Sequence, residues 1–247
     1  MWSARRVGAG KEPRASTRTF LVADLTRFST RCVLCPRLAH HLASVRSTHP
    51  GYHAHPVPPF GDPAAHLLIV GLAPGLHGAN RTGRPFTGDY AGILLYRTLH
   101  KFGFASRPES VSAADGLVLH DCRITNAVKC LPPANKPAPD EVRICNRYLQ
   151  CELKKLPPAP VVLALGRVAH GAVIRALNLR PGVYPFAHGS QHGLPGGGWL
   201  LDSYHCSRYN TQTRRLTTGM FERVVRTAAG LLKAGSAAAG SGRPGKR

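Results

Sequence analysis

Seven cysteines are the first residues whose type and spacing could do chemistry: Cys32, Cys35, Cys122, Cys130, Cys145, Cys151 and Cys206. Cys32 and Cys35 form a C-x2-C pair, and Cys130 and Cys145 follow with fourteen residues between them. Four thiolates can complete one tetrahedral zinc site or hold one [4Fe–4S] cluster. A structural zinc site usually draws on two close pairs, and here the second pair is split. The spacing therefore leaves zinc and cluster about level, with unligated buried cysteines as a third reading. Cys122, Cys151 and Cys206 have no near partner and read as small buried hydrophobes. The basic N-terminus is not followed by an apolar segment of the kind a secretory signal needs, so no disulfide framework is expected.

Two further segments carry polar chemistry. The first is GLAPGLHGANRTGRPFTGD, residues 71–89. It lacks the G-K-[ST] ending of a phosphate loop and the G-x-G-x-x-G of a dinucleotide fold, so no nucleotide cofactor is expected. Its glycines let main chain approach a flat ligand closely. Phe86 in this loop packs underneath it or stacks on a planar ring. Asp89 precedes a helical pattern, where an ordinary N-cap is the plain reading. The same carboxylate could position a water or face a developing cation. The second segment, DSYHCSRYNTQTRRLT, holds His205, Ser207, Arg208, Tyr209 and Asn210. It reads either as a solvated loop or as a loop that grips phosphates, with His205 at the chemistry.

The elements that must position these residues alternate. The apolar run at His66–Val70 and the segments around Arg123–Val128 and Val161–Leu165 read as strands, and short strands follow between Tyr184 and Ser203. Helical patterns start near Tyr90, at Pro139 and at Arg167, and a last one spans Thr218–Leu232. Alternation of this kind implies a parallel sheet covered on both faces, with ligands beyond the carboxyl ends of its strands. Residues 71–89, 126–137 and 203–213 all fall at such ends and point to one site.

Lys and Arg number 33 against 12 acids, a formal charge of +21 in 247 residues. Such a charge predicts a polyanionic partner, with nucleic acid favoured over a membrane surface. No apolar run approaches the ~18 residues of a spanning helix. Residues 1–19 read as a disordered basic arm, 20–233 as a single catalytic domain and 234–247 as a disordered Gly/Ala/Ser-rich tail.

Four features in order carry a resemblance to a known family. GLAPG with GANRTGRPFTGD, then ITNAVKC, then HCSRYNTQTRRLT, and the four cysteines together resemble the family-5 (type b) uracil-DNA glycosylases. The likeness runs from about Arg31 to Leu232. It implies a three-layer α/β/α sandwich with a central four-stranded parallel sheet, and one structural [4Fe–4S] cluster on Cys32, Cys35, Cys130 and Cys145. It implies a monomeric cytoplasmic enzyme that flips and hydrolytically excises uracil from double-stranded DNA, along with hypoxanthine, xanthine or etheno-cytosine. By the same resemblance Asp89, Asn126 and His205 are catalytic. Ala73, Pro74, Gly75, Phe86 and Asn126 meet the base, and Ser207, Arg208, Tyr209 and Asn210 meet DNA. Leu72 stands where the narrower family-4 enzymes have Glu. Cys206 departs from the family by replacing the Pro of H-P-S. A narrow family-4-like enzyme and a non-catalytic nucleic-acid-binding module with a structural metal are the rivals, whereas a zinc hydrolase lacks a motif such as H-E-x-x-H.

Overall fold

A computed structural model describes residues 28–240, with side chains described up to residue 235. The expected basic arm, residues 1–19, and residues 241–247 lie outside the described part. The elements are α1 (Pro36–Thr48), β1 (Phe60–Gly61), β2 (Leu67–Gly71), α2 (Ala79–Thr82), α3 (Tyr90–Lys101), β3 (Cys122–Asn126), α4 (Pro139–Leu153), β4 (Val161–Leu165), α5 (Arg167–Ala176), β5 (Gln191–Gly193), β6 (Trp199–Ser203), α6 (Arg208–Gln212) and α7 (Thr218–Gly240).

The sheet order is β1-β3-β2-β4-β6-β5. The central β3, β2, β4 and β6 are parallel, as the alternating pattern requires. β1 and β5 add short antiparallel edges, so the sheet has six strands where four were expected. Runs of two and three residues are too short to carry an alternation signal.

The period of two sorts the central strands into two cores. Leu67, Ile69, Ile124, Val161, Leu163 and Leu201 face α3 and α7, where Leu95, Leu99, Phe221 and Val225 are buried. Leu68, Val70, Val162, Ala164 and Leu200 face α4 and α5, where Leu149, Ala169 and Val173 are buried. The result is the expected three-layer sandwich. A third apolar cluster joins Leu38, Leu42 and Val45 of α1 to Val128, Leu131 and Tyr148, and it contains the paired cysteines.

Three further elements differ from expectation. α1 was not expected, although Leu38, Leu42 and Val45 form a helically spaced apolar stripe that the sequence carries. α6 replaces part of a segment read as loop. α7 continues to Gly240, past the expected end at Leu232 and into the expected tail; alanines at 237–239 favour helix and no proline intervenes before Pro244. Among the described residues, no helix is long and apolar enough to cross a membrane.

The glycine-rich segment is anchored from behind by a buried ion pair. Arg84 Nη1 contacts Asp115 Oδ1 at 2.7 Å, with side chains 7% and 8% exposed. The same guanidinium donates to the carbonyl of Ala113 and to Ser110 Oγ, and lies over the Phe60 ring. Burial alone would raise the Asp115 carboxyl. The Arg84 bond and the N–H groups of Leu117, Val111 and Ser112 outweigh it and hold the group well below the usual carboxylate range. A depressed carboxylate stabilises the fold above its unfolded pKa near ~3.9 and loses that contribution as pH falls toward the folded value. Asp115→Asn should therefore cost about 3–5 kcal/mol at pH 7, because it strands a buried guanidinium. It should also flatten the acid limb of the stability curve below about pH 4. Urea melts at neutral and acid pH check both.

Candidate active site at the carboxyl ends of the strands

β2, β3 and β6 end at Gly71, Asn126 and Ser203, on one edge of the parallel sheet. Gly71 and Asn126 are direct neighbours in the β2–β3 register. A Cβ at Gly71 would collide with Asn126 Oδ1 and would lie 2.6 Å from Phe86 Cζ. The glycine thus lets an amide and an aromatic ring meet over bare main chain.

Phe86 is buried and takes φ of 55°, a left-handed conformation costly for an aromatic residue. Its neighbours fix it there. Tyr96 donates through its hydroxyl to the carbonyl of Pro85 at 2.8 Å, and Thr87 Oγ1 pairs with Ser110 Oγ at 2.7 Å. The Phe86 ring stacks on His205, with centroids 5.8 Å apart and planes 30° from parallel. Phe86 and His205 therefore meet each other, and one face of Phe86 is taken. A base that stacks on Phe86 must use the remaining face or edge, a point the sequence could not supply.

Asn126 is 3% exposed and its Oδ1 has no hydrogen-bond partner among the described residues. A buried unpaired acceptor costs about 1–3 kcal/mol, so its persistence calls for a ligand or a water. The turn at Ala73–Gly75 follows directly on the end of β2. Among the described residues, the N–H groups of Ala73 and Gly75 have no acceptor. Pro74 is buried between them, and Leu72 is half-buried.

Asp89 caps α3, accepting from the Gly92 N–H at 3.0 Å through Oδ1. Its second oxygen lies over the glycine turn, 3.6 Å from where a Cβ on Gly75 would stand. A Cβ on Gly78 would come within 2.7 Å of Asp89 Cβ, so glycine is required there. Burial raises the Asp89 pKa, and the N–H groups of Gly92 and Ala91 partly offset this. The cap uses one oxygen and leaves the other over the glycine turn.

His205 is half-buried against Phe86 and beside Gly166, where a Cβ would stand 3.5 Å from His205 Cβ. Desolvation pulls its pKa down to about 4, so the ring is neutral at pH 7 and can donate one N–H. Asn210 holds the backbone here, its Nδ2 donating to the His205 carbonyl at 2.8 Å. Ser207 caps α6, accepting from the Asn210 N–H. Asn210 and Ser207 thus brace the loop. Tyr209 is 70% exposed, and Arg208 sits over the Tyr90 ring at 5.9 Å. These two project outward. Cys206 is fully buried in the main core, where the sulfur side chain packs as the cysteine spacing suggested.

The remaining candidate residues gather elsewhere. Cys32, Cys35, Cys130 and Cys145 line one pocket together with Phe28, Leu38 and Tyr148. The Tyr148 hydroxyl donates to Cys32 Sγ at 3.2 Å, and the Lys129 N–H donates to Cys145 Sγ at 3.3 Å. Desolvation, with neighbouring thiolate charge behind it, pushes the Cys35 thiol up to about 11. Cys130 is raised for the same two reasons. Without a cation among them these groups are held as neutral thiols. Among the described residues, no group of three or more His, Cys, Asp or Glu is placed to hold a metal ion. Lys129, which no sequence signal singled out, lies between this pocket and Asn126.

A family model described as the uracil DNA glycosylase superfamily matches residues 58–229. Among curated relatives, the type-5 uracil-DNA glycosylase of Thermus thermophilus is 50% identical over 201 residues, covering 79% of this chain and 91% of the relative. That of Pyrobaculum aerophilum is 40% identical, covering 83% and 91%. That of Mycobacterium bovis is 39% identical, covering 84% and 80%.

Proposed function

The chain belongs to the uracil-DNA glycosylase superfamily and to its type-5 family, and from that premise we propose that it is a DNA-repair enzyme that hydrolyses the N-glycosidic bond of uracil and other deaminated bases in double-stranded DNA. The observation that carries this reading is the buried, unpartnered Oδ1 of Asn126 beside Phe86 and His205. Uracil presents an N–H next to a carbonyl on its pairing edge, and an amide matches that pair, accepting from one and donating to the other. Cytosine presents the reverse pair there, an amine beside a bare ring nitrogen, and meets the amide only if the amide is flipped. Hypoxanthine and xanthine carry the same N–H and carbonyl on their six-membered ring. The same amide therefore supports a substrate range wider than uracil.

A base inside a duplex is out of reach, so the nucleotide is extruded into the pocket. Arg208 and Tyr209 occupy the vacated stack, with Ser207 and Asn210 holding their loop. Bond cleavage develops positive charge on the sugar and negative charge on the leaving base. The neutral His205 ring donates to the base oxygen, with the free N–H groups of Ala73 and Gly75 beside it. The Asp89 oxygen not engaged in the helix cap stabilises the sugar cation or orients the attacking water.

Cys32, Cys35, Cys130 and Cys145 line one pocket and are the four thiols that would hold a [4Fe–4S] cluster. When bound, the cluster supplies a structural cross-link between the N-terminal segment, the strand-3 loop and α4. The enzyme acts as a cytoplasmic monomer.

Duplex oligonucleotides carrying uracil, hypoxanthine or xanthine at one position test the substrate range. All three should yield abasic sites. Activity on uracil alone would support the narrow family-4-like reading, and no activity with intact DNA binding would support a non-catalytic module.

A further inference from the structure

We propose that Lys129 is a positioning residue that locks the base-reading amide of Asn126 and ties it to the wall of the cysteine pocket. The inference rests on the reading of Asn126 as the residue that meets the base edge. Lys129 is 1% exposed, one of the largest fully buried side chains of the protein. Burying an ammonium is costly unless it is fully paired. Its Nζ has three donors, and three oxygens surround it. It donates to Thr125 Oγ1 and to the Asn126 carbonyl at 2.9 Å, and it pairs with Glu152 Oε1 at 2.7 Å.

The three contacts join separate parts of the fold. Thr125 and Asn126 are the last two residues of β3. Glu152 lies near the end of α4, the helix that carries Cys145. The Lys129 main chain is itself fixed, donating to Cys145 Sγ and accepting from the Val57 N–H at 2.7 Å. Lys129 also lines the same pocket as the four cysteines. The Asn126 carbonyl faces Lys129, and the Asn126 amide faces the base pocket. Rotation of that peptide would swing Oδ1 away from its place over Gly71, and the ammonium prevents the rotation. Glu152 has both oxygens buried without a directed hydrogen bond, so the pair is held chiefly by charge. One residue thereby meets both regions, its main chain at Cys145 and its ammonium at the end of β3.

The test is a double-mutant cycle in a Glu152→Gln background, which avoids an orphaned buried carboxylate. The variants are Lys129→Met, Asn126→Ala and both together. Single-turnover excision of uracil from a duplex is measured, along with affinity for a duplex carrying non-excisable 2′-fluoro-deoxyuridine. The visible absorbance of the purified chain and its melting temperature report the cysteine pocket and the fold. Lys129→Met should lower the excision rate about ten- to a hundredfold, the scale of a small misplacement of a reacting group, with duplex affinity within about twofold. In the Asn126→Ala background the same change should cost less than about twofold, because coupled residues are non-additive. If methionine at 129 prevents folding, Lys129→Gln keeps one donor for the Asn126 carbonyl and should give an intermediate rate. An equal loss in both backgrounds, or no loss in the first, overturns the proposal. If Asn126→Ala alone leaves excision unchanged, the reading of the base pocket falls, and this inference with it.

Discussion

Replacing His205 with alanine lowers the single-turnover rate of uracil excision by about 10²–10³-fold, the scale of removing a donor aimed at developing negative charge. Affinity for the uracil-containing duplex changes little, because Arg208, Tyr209 and the basic surface remain. The departing base is the anion that must be stabilised. The ring that faces it is half-buried on Phe86, and desolvation has drawn its pKa to about 4. On the proposed mechanism His205 is a neutral donor across the physiological range. The wild-type rate should show no inflection from this group between about pH 6 and 8, since an unperturbed histidine titrates near ~6.5 and this one does not. The same shift has a stability consequence. The unfolded chain takes up a proton near ~6.5 while the folded ring resists it. Stability is lost progressively as pH falls from there to about 4, where the folded ring also protonates. His205→Ala removes that slope. A pH–rate profile and acid melts of the two proteins measure both effects.

The second large effect concerns the cysteine pocket. Cys145→Ser should abolish absorbance near ~400 nm and bound iron in anaerobically purified protein, as expected for a lost [4Fe–4S] cluster. It should also lower the melting temperature by about 10 °C or more, since at this chain length each kcal/mol shifts it by ~2–4 °C and a structural metal group contributes several. Cys145 sits in the middle of α4 and is buried beside Lys129. Its loss unpins α4 from the segment that holds Cys32 and Cys35. The Arg37–Glu141 pair, at 2.7 Å, still joins α1 to α4, so the domain is weakened rather than unfolded outright. Cys151→Ser, on the same helix but outside the pocket lining, serves as the control and should leave colour and stability unchanged. A colourless wild-type protein with one zinc would contradict the cofactor assignment.

Much of this architecture is legible in the sequence because of how burial writes itself there. The two middle strands, β2 and β4, are uninterrupted apolar runs, since both faces of each are covered, and Val161–Leu165 is found with both ends where expected. The gathering of 71–89, 126–137 and 203–213 at one edge follows from parallel topology alone. What the sequence leaves out is geometry set by partners far along the chain. The left-handed turn at Phe86 depends on Tyr96 and on Ser110, and the stacking on His205 spans 119 residues of sequence. Lys129 looks like an ordinary surface charge until Glu152 is placed beside it. Asn126 was named from the strand motif, but only its burial reveals an acceptor with nothing to accept from. α6 hides because a Ser-capped helix of five residues has the composition of a loop.

The most direct test of the account is incubation of the wild-type chain with a duplex carrying a single uracil, followed by alkaline cleavage at abasic sites and detection of the free base. The account predicts release of free uracil, strand scission at the uracil position alone, an unmarked duplex with cytosine there, and loss of scission in Asp89→Asn. A folded chain that binds the uracil duplex and leaves it intact would contradict it.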